Sequence, residues 1–345
     1  MALLEVTGLE VEFDTPEGVV RAVSDLDFHL EEGETLAIVG DSGAGKSQMM
    51  MAIMGLLAEN GRARGKALYR GEDLMAISAK ELNAVRGNKI AMIFQDPMTS
   101  LNPYMTIEQQ MTEVVMHHQR LKRDEARGHA VEMLRAVRIP DAEERIRQYP
   151  HEYSGGMRQR VMIAMGLLCE PDLLIADEPS TALDVTVQAQ ITRLIRELRE
   201  QAGMSIILIT HDLSVVADIA ERVMVMYAGE VVECGSAEDI FYNPQHPYTR
   251  GLLDSVPRLD RASGRDLHAI PGNPPNLLDL PVGCNFRDRC EKSREECREP
   301  PPVWQDGSGR MSRCVLPMEG GSVVAGEPDE ESEKAQPGNE GEGGP

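Results

Sequence analysis

The chain has 345 residues, 41% of them apolar, which suits two or three packed units at a prior of ~150 residues each and excludes wholesale disorder. Its formal charge of −22 excludes the basic footprint that duplex nucleic acid demands, yet leaves room for a local nest of donors around a polyphosphate. No apolar run reaches the roughly 18 residues of a membrane span, and the start, MALLEVTGLEVEF, lacks the basic-then-apolar order of a secretory signal, so a cytoplasmic chain with free thiols is expected.

In chain order, the first stretch alternates apolar and polar residues (LLEVTGLEVEF, then VVRAVSDLDFHL) and predicts an antiparallel β-layer. Near-continuous apolar runs at residues 35–39, 90–94, 173–176 and 205–210 predict strands of a sheet covered on both faces. Helical patterns at 46–57, 187–201 and 213–220 alternate with them, which argues for an α/β core with a largely parallel sheet. The charged, amphipathic segment 106–147 predicts a helical insertion inside a subdomain spanning about 96–165. After Phe241, Pro, Gly and Cys become frequent and the periodicity fades. The expected division is a first domain over 1–241 and a loop-rich unit over 242–318, followed by a disordered acidic tail over 319–345. Only seven residues are Lys, and most of the acidity lies outside the tail, a balance that suits a salt-rich cytoplasm or reflects codon usage.

Gly40-Asp41-Ser42-Gly43-Ala44-Gly45-Lys46-Ser47 fits G-x-x-x-x-G-K-S/T between a predicted strand and a predicted helix. Glycines let the backbone aim N–H groups at a β-phosphate, and the helix adds the positive end of its dipole. Lys46 is placed to reach the β- and γ-phosphates, and Ser47 to ligate Mg²⁺. The run 173–176 ends in Asp177 and Glu178. A carboxylate at such a strand end can hold Mg²⁺, and the next one can orient or deprotonate an attacking water.

Tyr153-Ser154-Gly155-Gly156-Met157-Arg158-Gln159-Arg160 lies 23 residues upstream of Asp177, counted from Ser154. It resembles the signature loop of ABC-type ATPases. Gln95 matches that family's Q-loop, Ser180-Thr181-Ala182-Leu183-Asp184 its D-loop, His211 its switch histidine and Phe13 the aromatic that stacks on adenine. The family most often has Leu and Gln where this chain has Tyr153 and Met157. The resemblance covers residues 1 to about 240. It implies a P-loop NTPase fold of the ABC type, with a mixed, largely parallel sheet, an antiparallel β-layer and a helical insertion. It also implies two subunits that sandwich two ATP molecules head-to-tail, so that Ser154, Gly155 and Gly156 clamp the γ-phosphate across the interface. Gln95, Ser47 and Asp177 would serve Mg²⁺, and Asp184 would belong to the ATP-binding set. Glu178, His211 and Gln95 would be catalytic.

Cys284, Cys290, Cys297 and Cys314 give the spacing C-x5-C-x6-C-x16-C. Zinc sites usually use tighter pairs, and the wider spacing is more compatible with an iron–sulfur cluster. Arg287, Arg289 and Arg294 are candidates to offset thiolate charge, and Cys169 and Cys234 are expected as buried hydrophobes. The run Asn243-Pro244-Gln245-His246-Pro247-Tyr248-Thr249-Arg250-Gly251-Leu252-Leu253, with Cys284 to Cys290, resembles the C-terminal extension of oligopeptide/dipeptide importer ATPases, a group that includes nickel importers. Some members carry a 4Fe-4S cluster there, with zinc or no metal as alternatives.

That resemblance implies an ATPase at the cytoplasmic face of the cell membrane that drives peptide uptake. Its partners would be two separate permease subunits, a second ATPase in a heterodimer rather than a homodimer, and, indirectly, an extracellular peptide-binding protein. Import of nickel or another small solute is an alternative within the family. A soluble ABC ATPase of DNA repair or translation is opposed by the single cassette, the lack of heptads and the acidity, and no nucleic-acid partner is expected.

Overall fold

A computed structural model describes residues 2–94, 100–179, 185–255 and 270–324. Gln95, residues 180–184 with Asp184, and the tail beyond Val324 lie outside the described residues.

Along the chain, β1 (Ala2–Thr15) and β2 (Gly18–Glu31) form a hairpin, and β3 (Thr35–Val39) leads through the glycine loop into α1 (Lys46–Ile53). β4 (Gly61–Tyr69), β5 (Glu72–Asp73), α2 (Ala79–Val85) and β6 (Ile90–Ile93) follow. The insertion supplies α3 (Ile107–Gln119), α4 (Arg123–Ala136), α5 (Ala142–Arg145) and α6 (Gly155–Leu167). Next come β7 (Leu173–Asp177), α7 (Val185–Ala202), β8 (Ser205–Ile209), α8 (Leu213–Ile219), β9 (Arg222–Tyr227) and β10 (Glu230–Ser236). The C-terminal part holds α9 (Ala237–Tyr242), α10 (Pro247–Asp254), β11 (Val303–Gln305), β12 (Met311–Arg313) and β13 (Ser322–Val324).

Two sheets result. The first is antiparallel, in the order β2-β1-β4-β5. The second runs β13-β11-β12-β10-β9-β3-β8-β7-β6, parallel from β9 to β6 and antiparallel from β9 to β13. The apolar runs divide their side chains between faces with period two. On β7 and β8, Leu173, Ile175, Ile207 and Ile209 pack toward the antiparallel layer. Leu174, Ala176, Ile206 and Leu208 pack toward the helical insertion. Both faces are covered, which is why these strands read as unbroken apolar runs.

Local chemistry sets the helix ends. Thr106 and Gln109 form a capping box that starts α3, and Ser78 and Glu81 do the same for α2. The pattern over 46–57 predicts a longer α1 than the one seen. It stops at Ile53 because Gly55 takes a left-handed φ of 58° and Arg86 donates to the carbonyls of Met54 and Gly55.

The segment after Phe241 is not a free-standing unit. β12 pairs with β10, so the extension completes the main sheet, and Tyr248 and Phe286 sit in one apolar cluster with Tyr227, Val223 and Val39. Regular structure also continues past Glu319, through β13. The joint is pinned by Glu233, which is fully buried on β10. Its carboxylate accepts the N–H groups of Gln245 (2.6 Å) and His246 (2.9 Å) and lies 3.7 Å from buried Arg310. Replacing Glu233 with Ala strands the two backbone N–H donors and leaves Arg310 to Asp239 and the Asn243 carbonyl, and a stability loss of ~3 kcal/mol is expected from the denaturant midpoint. A loss under about 1 kcal/mol would show that the carboxylate does not pin the extension.

Candidate active site

The chain leaves β3 through two glycines that nothing larger could replace. A Cβ on Gly40 (φ 151°) would fall 2.1 Å from the Met226 carbonyl oxygen, and one on Gly45 (φ 95°) 2.2 Å from that of Ala22. The loop thus packs against the backbone on two sides and enters α1 with no side-chain cap and no acidic residue in the first turn. Its first-turn N–H groups and the helix dipole make an anion site. Lys46 is buried, and its Nζ donates to the carbonyls of Gly40 (2.8 Å) and Asp41 (2.9 Å). Burial pushes its pKa down, while the charges of Glu178, Asp177 and Asp41 oppose that shift. A cavity of about 430 Å³ opens above the loop, lined by Ser42 to Gln48, by Glu178, and on the apolar side by Phe13, Val20, Ala22 and Leu277.

Asp177 ends β7 and is buried. Burial raises its carboxyl pKa, against a hydrogen bond from Ser47 and the charge of Lys46. Its Oδ1 has no hydrogen-bond partner among the described residues. A buried orphan carboxylate oxygen beside a serine hydroxyl is a donor set that suits Mg²⁺. At Glu178 the backbone turns left-handed (φ 45°), unusual for a residue with a side chain, and its N–H donates to the Ile209 carbonyl (2.8 Å). This kink swings the Glu178 carboxylate onto the cavity wall and to within 3.1 Å of His211 Nδ1. Glu178 is 15% exposed and His211 64%.

Lys46, Ser47, Asp177, Glu178 and His211, drawn from three strand ends, therefore converge as the motifs imply. Phe13 also lines the cavity while packing on the core. Ser154, Gly155 and Gly156 do not line it. Ser154 caps α6 by accepting the Met157 N–H (3.3 Å), and Ser154 and Gly155 face solvent. Tyr153 is buried, and its hydroxyl is satisfied by the Arg145 carbonyl (2.7 Å), so the ring fits where the family usually has Leu.

The four cysteines of the extension line one small pocket together with His246 and Phe286. Backbone N–H groups of Arg294 and Leu316 point at the sulfurs of Cys297 and Cys314, both at 3.4 Å. Burial raises the Cys284 thiol to about 11. Among the described residues no group of three or more His, Cys, Asp or Glu side chains is drawn together as a metal site, so the expected four-thiolate ligand set is not assembled. Its donors share a pocket and receive N–H hydrogen bonds, features that fit a thiolate-held group. Arg289 corrects another expectation. It pairs with Asp41 of the phosphate loop at 2.9 Å and does not line the cysteine pocket, whereas Arg287 does. Cys169 is buried as expected, and Cys234 is half-buried. The sequence reading also missed Val20, Ala22 and Leu277 as cavity walls, residues whose types carry no phosphate-site signal.

A phosphate loop, a strand-end carboxylate pair and a facing histidine, under an antiparallel layer and beside a helical insertion, define an ATP-hydrolysing cassette of the ABC type. The fold agrees: a dimeric ATP-binding cassette in a post-hydrolysis state bound to ADP and Pi aligns with TM-score 0.61 and 26% identity, over 68% of this chain and 98% of that one. The family model "ABC transporter" matches residues 23–181, and "Oligopeptide/dipeptide transporter, C-terminal region" matches 232–297. The oligopeptide transport ATP-binding protein OppD of Salmonella typhimurium is 56% identical over 92% of this chain and 94% of its own. The dipeptide transport ATP-binding protein DppD of Bacillus subtilis is 52% identical over 86% of this chain and 88% of its own. The chain belongs to the family of ABC transporter ATP-binding proteins for oligopeptides and dipeptides, and it is an ATPase.

Proposed function

We propose that this chain is the ATP-hydrolysing subunit of an importer for di- and oligopeptides, working at the cytoplasmic face of the membrane. The observation that carries the reading is the joining of two parts into one sheet: a complete phosphate, carboxylate and histidine site, and the C-terminal region of the peptide transporters. Among the described residues no helix is long and apolar enough to cross a membrane, so the permease is assigned to two separate subunits. The exposed aromatics Phe94 and Tyr104, at the border of the insertion, suit the docking groove for their coupling helices.

In this reading Lys46 and the loop amides bind the β- and γ-phosphates, and Ser47 and Asp177, with Gln95, hold Mg²⁺. Glu178 takes the proton of the attacking water, and His211 stabilises charge on the γ-phosphate. Phe13 flanks the base. Exposed Ser154 and Gly155, with half-buried Gly156, serve the nucleotide of a second ATPase subunit, most simply a different chain, and Asp184 belongs to the ATP-binding set. Cys284, Cys290, Cys297 and Cys314 hold a metal group in the extension, a 4Fe-4S cluster in preference to zinc, with a structural role.

The test is anaerobic purification from native membranes in mild detergent, with mass spectrometry of the companions and metal analysis of the same sample. Two permease subunits, a second ATPase and an iron–sulfur absorbance band are expected. Companions from ribosomes or DNA repair would sink the transport reading, and a sample free of both iron and zinc would sink the cysteine assignment.

A further inference from the structure

We propose that Arg289, in the C-terminal extension, is a positioning residue of the ATP site: it tethers Asp41 and neutralises its carboxylate, so that the phosphate loop is preformed and does not repel the triphosphate. The proposal rests on ATP binding at this loop and is independent of what is transported.

Asp41 is held from within its own loop and, at two points, from the extension. Its carboxylate meets Arg289 Nη1 at 2.9 Å. Its backbone N–H donates to the Tyr248 hydroxyl at 2.8 Å. Its carbonyl accepts Lys46 Nζ at 2.9 Å. Arg289 is in turn fixed from every side. Its Nε donates to the Pro271 carbonyl (3.0 Å), its Nη1 also reaches the Tyr227 hydroxyl (3.3 Å), and the guanidinium lies 5.7 Å from the centre of the Tyr227 ring. The pair is largely shielded, with Arg289 10% and Asp41 24% exposed at the side chain, so screening by salt is weak. Leu277 of the same extension reaches the wall of the nucleotide cavity. The phosphate loop is therefore built on the extension as much as on β3 and α1.

A carboxylate at the second position of a phosphate loop is a liability, because it places negative charge beside the triphosphate. Arg289 offsets that charge from behind through one Nη1 contact, and its guanidinium is held in direction by the Nε bond to the Pro271 carbonyl. A mere staple between extension and loop predicts something different. Its loss would lower thermal stability and leave nucleotide affinity unchanged in the folded protein.

The experiment compares Arg289→Ala, Asp41→Asn and the double variant in the full chain, by titration with Mg-ATP and by steady-state hydrolysis. Arg289→Ala is expected to raise both Kd and KM for ATP about tenfold, equivalent to ~1.4 kcal/mol, with kcat within about twofold. Adding Asp41→Asn to it should recover at least threefold of that loss, because no carboxylate then remains to repel the phosphates. Arg289→Gln keeps the stem and a donor without the charge, and carries the same expectation if the alanine variant folds poorly. Unchanged ATP affinity in a folded Arg289 variant, or a double variant no better than the single one, overturns the proposal. A chain that binds ATP as described but drives no peptide uptake would overturn the transport reading and leave this one standing.

Discussion

Replacing Glu178 with Gln lowers ATP hydrolysis by ~10²–10³-fold while leaving ATP binding intact, the size expected for removal of a positioned general base. The amide keeps the shape of the carboxylate and inherits the same left-handed backbone at φ 45°, so the kink at the end of β7 survives. It can still face His211 Nδ1, now 3.1 Å from the carboxylate, but it cannot take a proton from water. The phosphate anchors are on other elements, α1 and the loop before it, and are untouched. ATP is therefore bound and not consumed. Because exposed Ser154 and Gly155 await a nucleotide that their own chain does not present to them, retained ATP should hold two subunits together. Size-exclusion chromatography of Glu178→Gln together with the co-purified second ATPase and Mg-ATP should show a stable dimer. Hydrolysis at more than a tenth of the normal rate would remove Glu178 from the role of base, and separate monomers of both subunits at saturating ATP would remove the sandwich.

Much of this site is legible in the sequence because its signals are local. The loop from Gly40 to Ser47 needs its glycines for close backbone approaches within a single turn, and such a demand leaves an unambiguous pattern. The strands are legible because both faces of β3, β7 and β8 are covered, which forces unbroken apolar runs. The extension is not legible in the same way. β11, β12 and β13 have three residues each, too short for alternation to show, and they form because the edge of β10 offers unpaired N–H and C=O groups. The pairing of Arg289 with Asp41 spans 248 positions, and no spacing rule reaches that far. Proximity along the chain points Arg289 to the flanking cysteines instead.

Replacing Lys46 with Ala should have the opposite signature to the Glu178 variant: affinity is lost first. Lys46 is the cation set among Asp177, Glu178 and Asp41, and it lies buried at 6% exposure. It donates to the carbonyls of Gly40 and Asp41, which ties the loop across its own turn. Without it, those carbonyls lose a buried donor and the charges of Asp177 and Glu178 lose their lysine, while Asp41 stays paired with Arg289. Loss of one charge-assisted anchor costs about 2–3 kcal/mol, so the Kd for Mg-ATP should rise by about 30- to 150-fold. Hydrolysis should fall with it at every accessible ATP concentration. The apolar packing of α1, through Met49, Met50 and Ile53, does not involve the lysine head group, so the fold should persist and the melting temperature should shift by only a few degrees. Nucleotide titration beside thermal unfolding separates the two effects. Affinity within threefold of the wild type would mean that the loop amides and the α1 dipole carry the phosphates alone, and that Lys46 serves chemistry and not binding.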